Sequence, residues 1–112
     1  REWGKDAVLA TPEYFHNAVF YSPEFRFLSP REQGRFLALR RDLGSLSVAQ
    51  ASAAILDGRV RDLGASRTLT WQPGVIVSAV SEALARALES EGYSRACQAS
   101  LAEARFASDD AV

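Results

Sequence analysis

The sequence predicts an all-α fold: a mostly helical single domain over residues 1–112, with four to five short helices ending in an antiparallel helical hairpin and at most one short β segment near 67–71. Three observations carry that expectation. Helix-start signals recur along the chain, one apolar row repeats every four residues late in it, and only one short stretch alternates as a strand does.

The first start signal is Thr11-Pro12-Glu13, in which a hydroxyl can accept a hydrogen bond from a free N–H and Pro fits the first helical position. It predicts a short helix over about 12–20. Ser22-Pro23-Glu24 and Ser29-Pro30-Arg31-Glu32 repeat the signal, the latter with the Ser-to-Glu spacing of a capping box. A helix over about 30–43 follows, with Phe36, Leu39 and Leu43 on an inner face and Arg31, Arg35 and Asp42 on a wet one, and Leu43-Gly44 ends it.

Ser47 and Gln50 form another capping-box pattern ahead of Val48, Ala51, Ile55 and Leu56. This helix either stops at Gly58 or runs on to a second Leu63-Gly64 ending. Thr68 to Trp71 alternates and is rich in β-branched and aromatic residues, so it reads as a strand, with Ala7 to Ala10 or a second copy of the molecule as its partner.

After Gln72-Pro73-Gly74, the row Ile76, Val80, Leu84, Leu88 predicts a helix over about 75–91 ended by Gly92. Ser94 then starts a last helix over about 95–106, the second arm of the hairpin, with Cys97, Leu101 and Ala104 inward. Residues 108–112 read as a frayed tail. The chain has no Met and starts at Arg1, which reads as a domain excised from a longer chain or a trimmed product.

Thirteen basic against fourteen acidic residues leave a net charge of −1, which points to no nucleic-acid footprint in the total. The distribution is uneven, however, because eight arginines face four acids between residues 26 and 67. A single cysteine fits a reducing compartment, so the expected location is cytoplasmic, and no apolar run is long enough to cross a bilayer, so no membrane partner is expected.

Chemistry has little to stand on. His16 is the only histidine and Cys97 the only cysteine, no Gly-rich loop cradles a phosphate, and no ligand spacing suggests a metal, so neither catalytic residues, a metal nor a cofactor is expected. Leu63-Gly64-Ala65-Ser66-Arg67-Thr68 resembles the turn and recognition-helix start of helix-turn-helix regulators. The resemblance covers six residues, has Arg59 where those regulators carry an apolar residue, and implies nucleic-acid binding over about 48–72 with Arg59, Arg61 and Arg67 on phosphates.

Eight of the eleven aromatic residues lie in the first third of the chain. The expected function is therefore a non-catalytic protein-interaction or regulatory module, with Tyr14, Phe20, Tyr21 and Phe25 presented to another protein or to a second copy. The nucleic-acid regulator is the alternative.

Overall fold

Two three-stranded antiparallel sheets accompany five helices across residues 7–110, the part of the chain described by the computed structural model. The all-α expectation is thereby overturned. In chain order the elements are β1 (Ala7–Ala10), α1 (Phe15–Tyr21), β2 (Arg26–Phe27), α2 (Pro30–Asp42), α3 (Val48–Leu56), β3 (Val60–Asp62), β4 (Arg67–Thr68), β5 (Ile76–Ala79), α4 (Glu82–Leu88), α5 (Glu91–Glu103) and β6 (Phe106–Ser108).

The locally capped helices form where their caps place them. Ser29 accepts the Glu32 N–H at the start of α2, with Pro30 at the first helical position. Ser47 accepts the Gln50 N–H while the Gln50 side chain accepts the Ser47 N–H, a complete capping box for α3. Gly58, at φ +72°, stops α3 rather than letting it run on, because a left-handed backbone costs glycine little. Helix α1 starts later than Thr11-Pro12 suggests. Its first turn is closed by Asn17, whose side chain accepts the Tyr14 N–H.

The first sheet has the order β1-β5-β2, with Ala7 opposite Ala79 and Phe27 opposite Ile76. Its centre is the segment expected to open a helix over 75–91. Ile76 and Val77 are both buried, but on opposite sides of the sheet: Ile76 joins the main core, and Val77 joins a small cluster with Ala7 and Leu88. A strand covered on both faces shows no alternation, which left the fourfold row as the visible pattern. The row itself is broken, since Val80 is 61% exposed and Leu84 is only half-buried. Only α4, capped by Ser81, survives from that helix.

The second sheet has the order β4-β3-β6, so within the chain the strand near 67–71 pairs with β3 and not with Ala7–Ala10. Strand β6 takes the end of the expected last helix and Ser108 of the expected frayed tail. Residues 111–112 lie outside the described part. Helix α5 is capped by Ser90, whose hydroxyl accepts the Tyr93 N–H, so Gly92 lies in its first turn instead of ending a helix. Its far end is closed by Arg41, which donates to the Leu101 and Ala104 carbonyls at 2.8 and 2.7 Å.

The expected hairpin also fails, because α5 packs along α2 and only lightly against α4. Gly34 makes the close approach possible. A β-carbon there would collide with the Cys97 carbonyl oxygen and the Ser100 side chain, and Ser100 Oγ donates to the Arg31 carbonyl at 2.7 Å across the same seam. Phe15, Phe27, Phe36, Leu39, Ile55, Val60 and Phe106 form the main core.

Candidate functional site

Helices α2 and α5 on one side and the β3–β4 hairpin with residues 69–72 on the other enclose a polar cleft of about 630 Å3. Arg31, Glu32 and Arg35 project from α2, Glu103 from α5, and Asp62 and Arg67 from the hairpin. The charges balance, three against three. The cleft opens into an inner pocket of about 130 Å3 whose wall includes Phe27, Phe36, Leu39, Trp71 and Phe106. Glu32, Arg35, Leu69, Thr70 and Gln72 line both compartments, and Glu32 and Arg35 are the charged pair among them.

The aromatic wall is fixed from several directions. Phe27 and Phe36 are tilted neighbours at 5.5 Å, Trp71 meets Phe15 edge-on at 5.9 Å, and the Trp71 indole N–H donates to the Pro12 carbonyl at 3.1 Å. Strand alternation does the sorting at the other wall: Leu69 turns inward, while Thr68 and Thr70 are exposed and line the cleft.

Arg35 stands at the junction. Its Nη2 donates to Asp62 Oδ2 at 2.7 Å, and its guanidinium lies 5.1 Å from the Phe106 ring centre, a cation–π contact. Asp62 is buried, and its other oxygen accepts the Ala65 N–H at 3.2 Å. Burial alone pushes the Asp62 carboxyl up, yet the hydrogen bonds from Arg35 and Ala65 outweigh it and hold the group below its ordinary value. Asp42 follows the same balance: burial raises it, and Arg41 with the Phe106 N–H, which donates at 2.9 Å, brings it down. Glu32 accepts no side-chain or backbone hydrogen bond from the described residues outside its own helix. Its carboxylate rests on Gly74, where a β-carbon would displace it.

The depressed carboxyls set an acid limit. Their stabilising contribution is complete above the unfolded value of 3.8 and is lost as pH falls through the lower folded values. Urea midpoints measured down from pH 6 are expected to fall steeply once the pH passes below about 4, and Asp62→Asn should start lower and fall less.

The expected contact residues divide. Phe20 is 78% exposed, Tyr14 and Tyr21 are about 40% exposed, and the Phe20, Tyr21 and Phe25 rings meet edge to face at 5.4 Å. Phe25 instead packs against the main core. Trp3 lies outside the described residues.

The helix-turn-helix expectation loses its second helix, because residues 60–68 form the β3–β4 hairpin. Arg59 pairs with Asp57 and Asp110, Arg61 points to solvent, and Arg67 reaches the cleft.

His16 Nδ1 lies 2.8 Å from Ser52 Oγ and its ring stacks on Tyr14, a contact that ties α1 to α3. Cys97 is buried, and that burial raises its thiol, opposite to what a reactive thiolate needs. Tyr93 is likewise pushed up by burial, to about 12, and its hydroxyl donates to the Phe27 carbonyl. Among the described residues no group of His, Cys, Asp or Glu is arranged to hold a metal, and no helix is long and apolar enough to cross a membrane.

Neither protein-family profiles, nor characterised proteins, nor solved structures match the chain.

The cleft is not legible in the sequence because its walls come from residues 27–39, 62–72 and 100–106, with no spacing that joins them. One signal was available: Arg31 and Arg35 share a helix face, and that face, read as wet, is a wall of the cleft.

Proposed function

We propose that the protein works by binding a small molecule in the two-compartment cleft. The observation that carries this reading is the aromatic-walled pocket that adjoins a charged cleft. Ligand sites are commonly ~300–1,000 Å3 in volume and pair apolar walls with a few convergent polar groups; here the cleft supplies the volume and the polar groups, and the inner pocket supplies the apolar walls. The inner pocket is close in size to the ~150 Å3 cavity that accepts benzene.

Titration with phenol, followed by the Trp71 indole N–H in nitrogen–proton spectra, tests it. A saturable shift at Trp71 and its neighbours supports the reading. No response up to the solubility limit overturns it.

A second reading is favoured by Phe20, whose ring stands almost free of the chain beside Tyr21. On this reading Phe20, Tyr21 and Tyr14 dock another protein or a second copy, with Phe25 bracing Tyr21 from behind. Phe20→Ser should then abolish association seen by light scattering or partner capture and leave the helical circular dichroism intact. Association unchanged by that substitution overturns it.

A further inference from the structure

We propose that the cleft takes a zwitterion carrying a single flat ring, of the aromatic α-amino-acid class, with the ring in the inner pocket, the ammonium on Glu32 and the carboxylate on Arg35. The inference rests on the ligand-binding reading above and names the ligand's chemistry.

Size fixes the ring. An opening of about 130 Å3 walled by Phe27, Phe36, Trp71 and Phe106 accepts one six-membered ring, and the aromatic walls favour offset or edge-on contact with a flat guest over a branched aliphatic one.

Charge fixes the other end. Glu32 and Arg35 stand at the mouth, three residues apart on α2, a spacing that brings two side chains to about 5–6 Å at their β-carbons. An ammonium and a carboxylate on one carbon can bridge such a pair. Among the described residues no side chain donates to the Glu32 carboxylate, and Arg35 uses one nitrogen on Asp62 and keeps other donors of its fork. A phosphorylated ring compound fits less well, because the basin holds Glu32, Asp62 and Glu103 against Arg31, Arg35 and Arg67 and offers no net positive field.

Gly74 supports the same assignment. It leaves room for the Glu32 carboxylate beside residues 73–75, where a β-carbon would push the acid away from its present position.

The test is a set of titrations on the full chain, read by the Trp71 indole N–H resonance and calorimetry. L-phenylalanine is expected to bind at least tenfold more tightly than benzylamine, hydrocinnamate, leucine or uridine monophosphate. Glu32→Gln should weaken phenylalanine and benzylamine about tenfold and leave hydrocinnamate unchanged, and Gly74→Ala should act in the same direction. Circular dichroism checks that both variants fold. If uridine monophosphate or hydrocinnamate binds more tightly than phenylalanine, or if Glu32→Gln leaves phenylalanine binding intact, the zwitterion assignment is wrong. Phenol shifting Trp71 while phenylalanine fails to bind removes the assignment and leaves the cleft as a ligand site. Silence of every probe, phenol included, removes both.

Discussion

Phe36→Ala is expected to destabilise the fold by about 3–5 kcal/mol, the usual cost of removing a buried aromatic ring together with the cavity it leaves. Phe36 is 3% exposed and sits between Phe15 and Phe27, with ring centres 5.9 and 5.5 Å away, and Arg40 lies over its face. The ring also walls the inner pocket, so its neighbours on that side cannot all close in on the void. Chemical denaturation reads the loss directly. A change below about 1 kcal/mol would show that the α2 face is not the centre of the core.

The second large effect is expected at Gly34. Alanine is the better helix former by about 1 kcal/mol, and on propensity alone Gly34→Ala would stabilise α2. Here the added methyl meets the Cys97 carbonyl oxygen, a backbone atom that yields only if α5 moves away. Overpacking of that kind costs about 1–3 kcal/mol or more, and separating the helices would also strain the Ser100-to-Arg31 hydrogen bond. The net expectation is a loss of about 2 kcal/mol, read as a lower urea midpoint. A gain in stability would mean that the two helices do not approach as closely as this seam requires.

What the sequence disclosed depended on how far apart the interacting residues were. Helices α2 and α3 announce themselves because Ser29 with Glu32 and Ser47 with Gln50 settle their own ends within one turn. The sheets could not be read that way. Strand β5 is covered on both faces, so Ile76 and Val77 are apolar side by side, and its partners β1 and β2 lie tens of residues away. Strand β6 is held by Asp42 and β3, again at long range, and three residues ending an apparently helical stretch carry no signal of that.

The candidate sites divide along the same line. The aromatic run in the first third was visible as composition, and folding parts it into core rings, Phe15, Phe27 and Phe36, and surface rings, Tyr14, Phe20 and Tyr21. No rule of spacing separates the two groups, because α1 is short and β2 contributes only two residues. The cleft is a tertiary object throughout. Arg35 meets Asp62 across 27 positions and also Phe106, the cross-strand partner of Asp62 in the second sheet, and neither partner can be inferred from α2 alone.

The cleft is the ligand site only if a ring-bearing ligand sits in its inner pocket. Intermolecular proton contacts between L-phenylalanine and the isotope-labelled protein measure this most directly. The ligand's ring protons are expected to give cross-peaks to Trp71, Phe36 and Phe106, and its α-proton to the Glu32 side chain. Cross-peaks confined to Phe20 and Tyr21 on α1, or none to the inner pocket at saturating ligand, would contradict it.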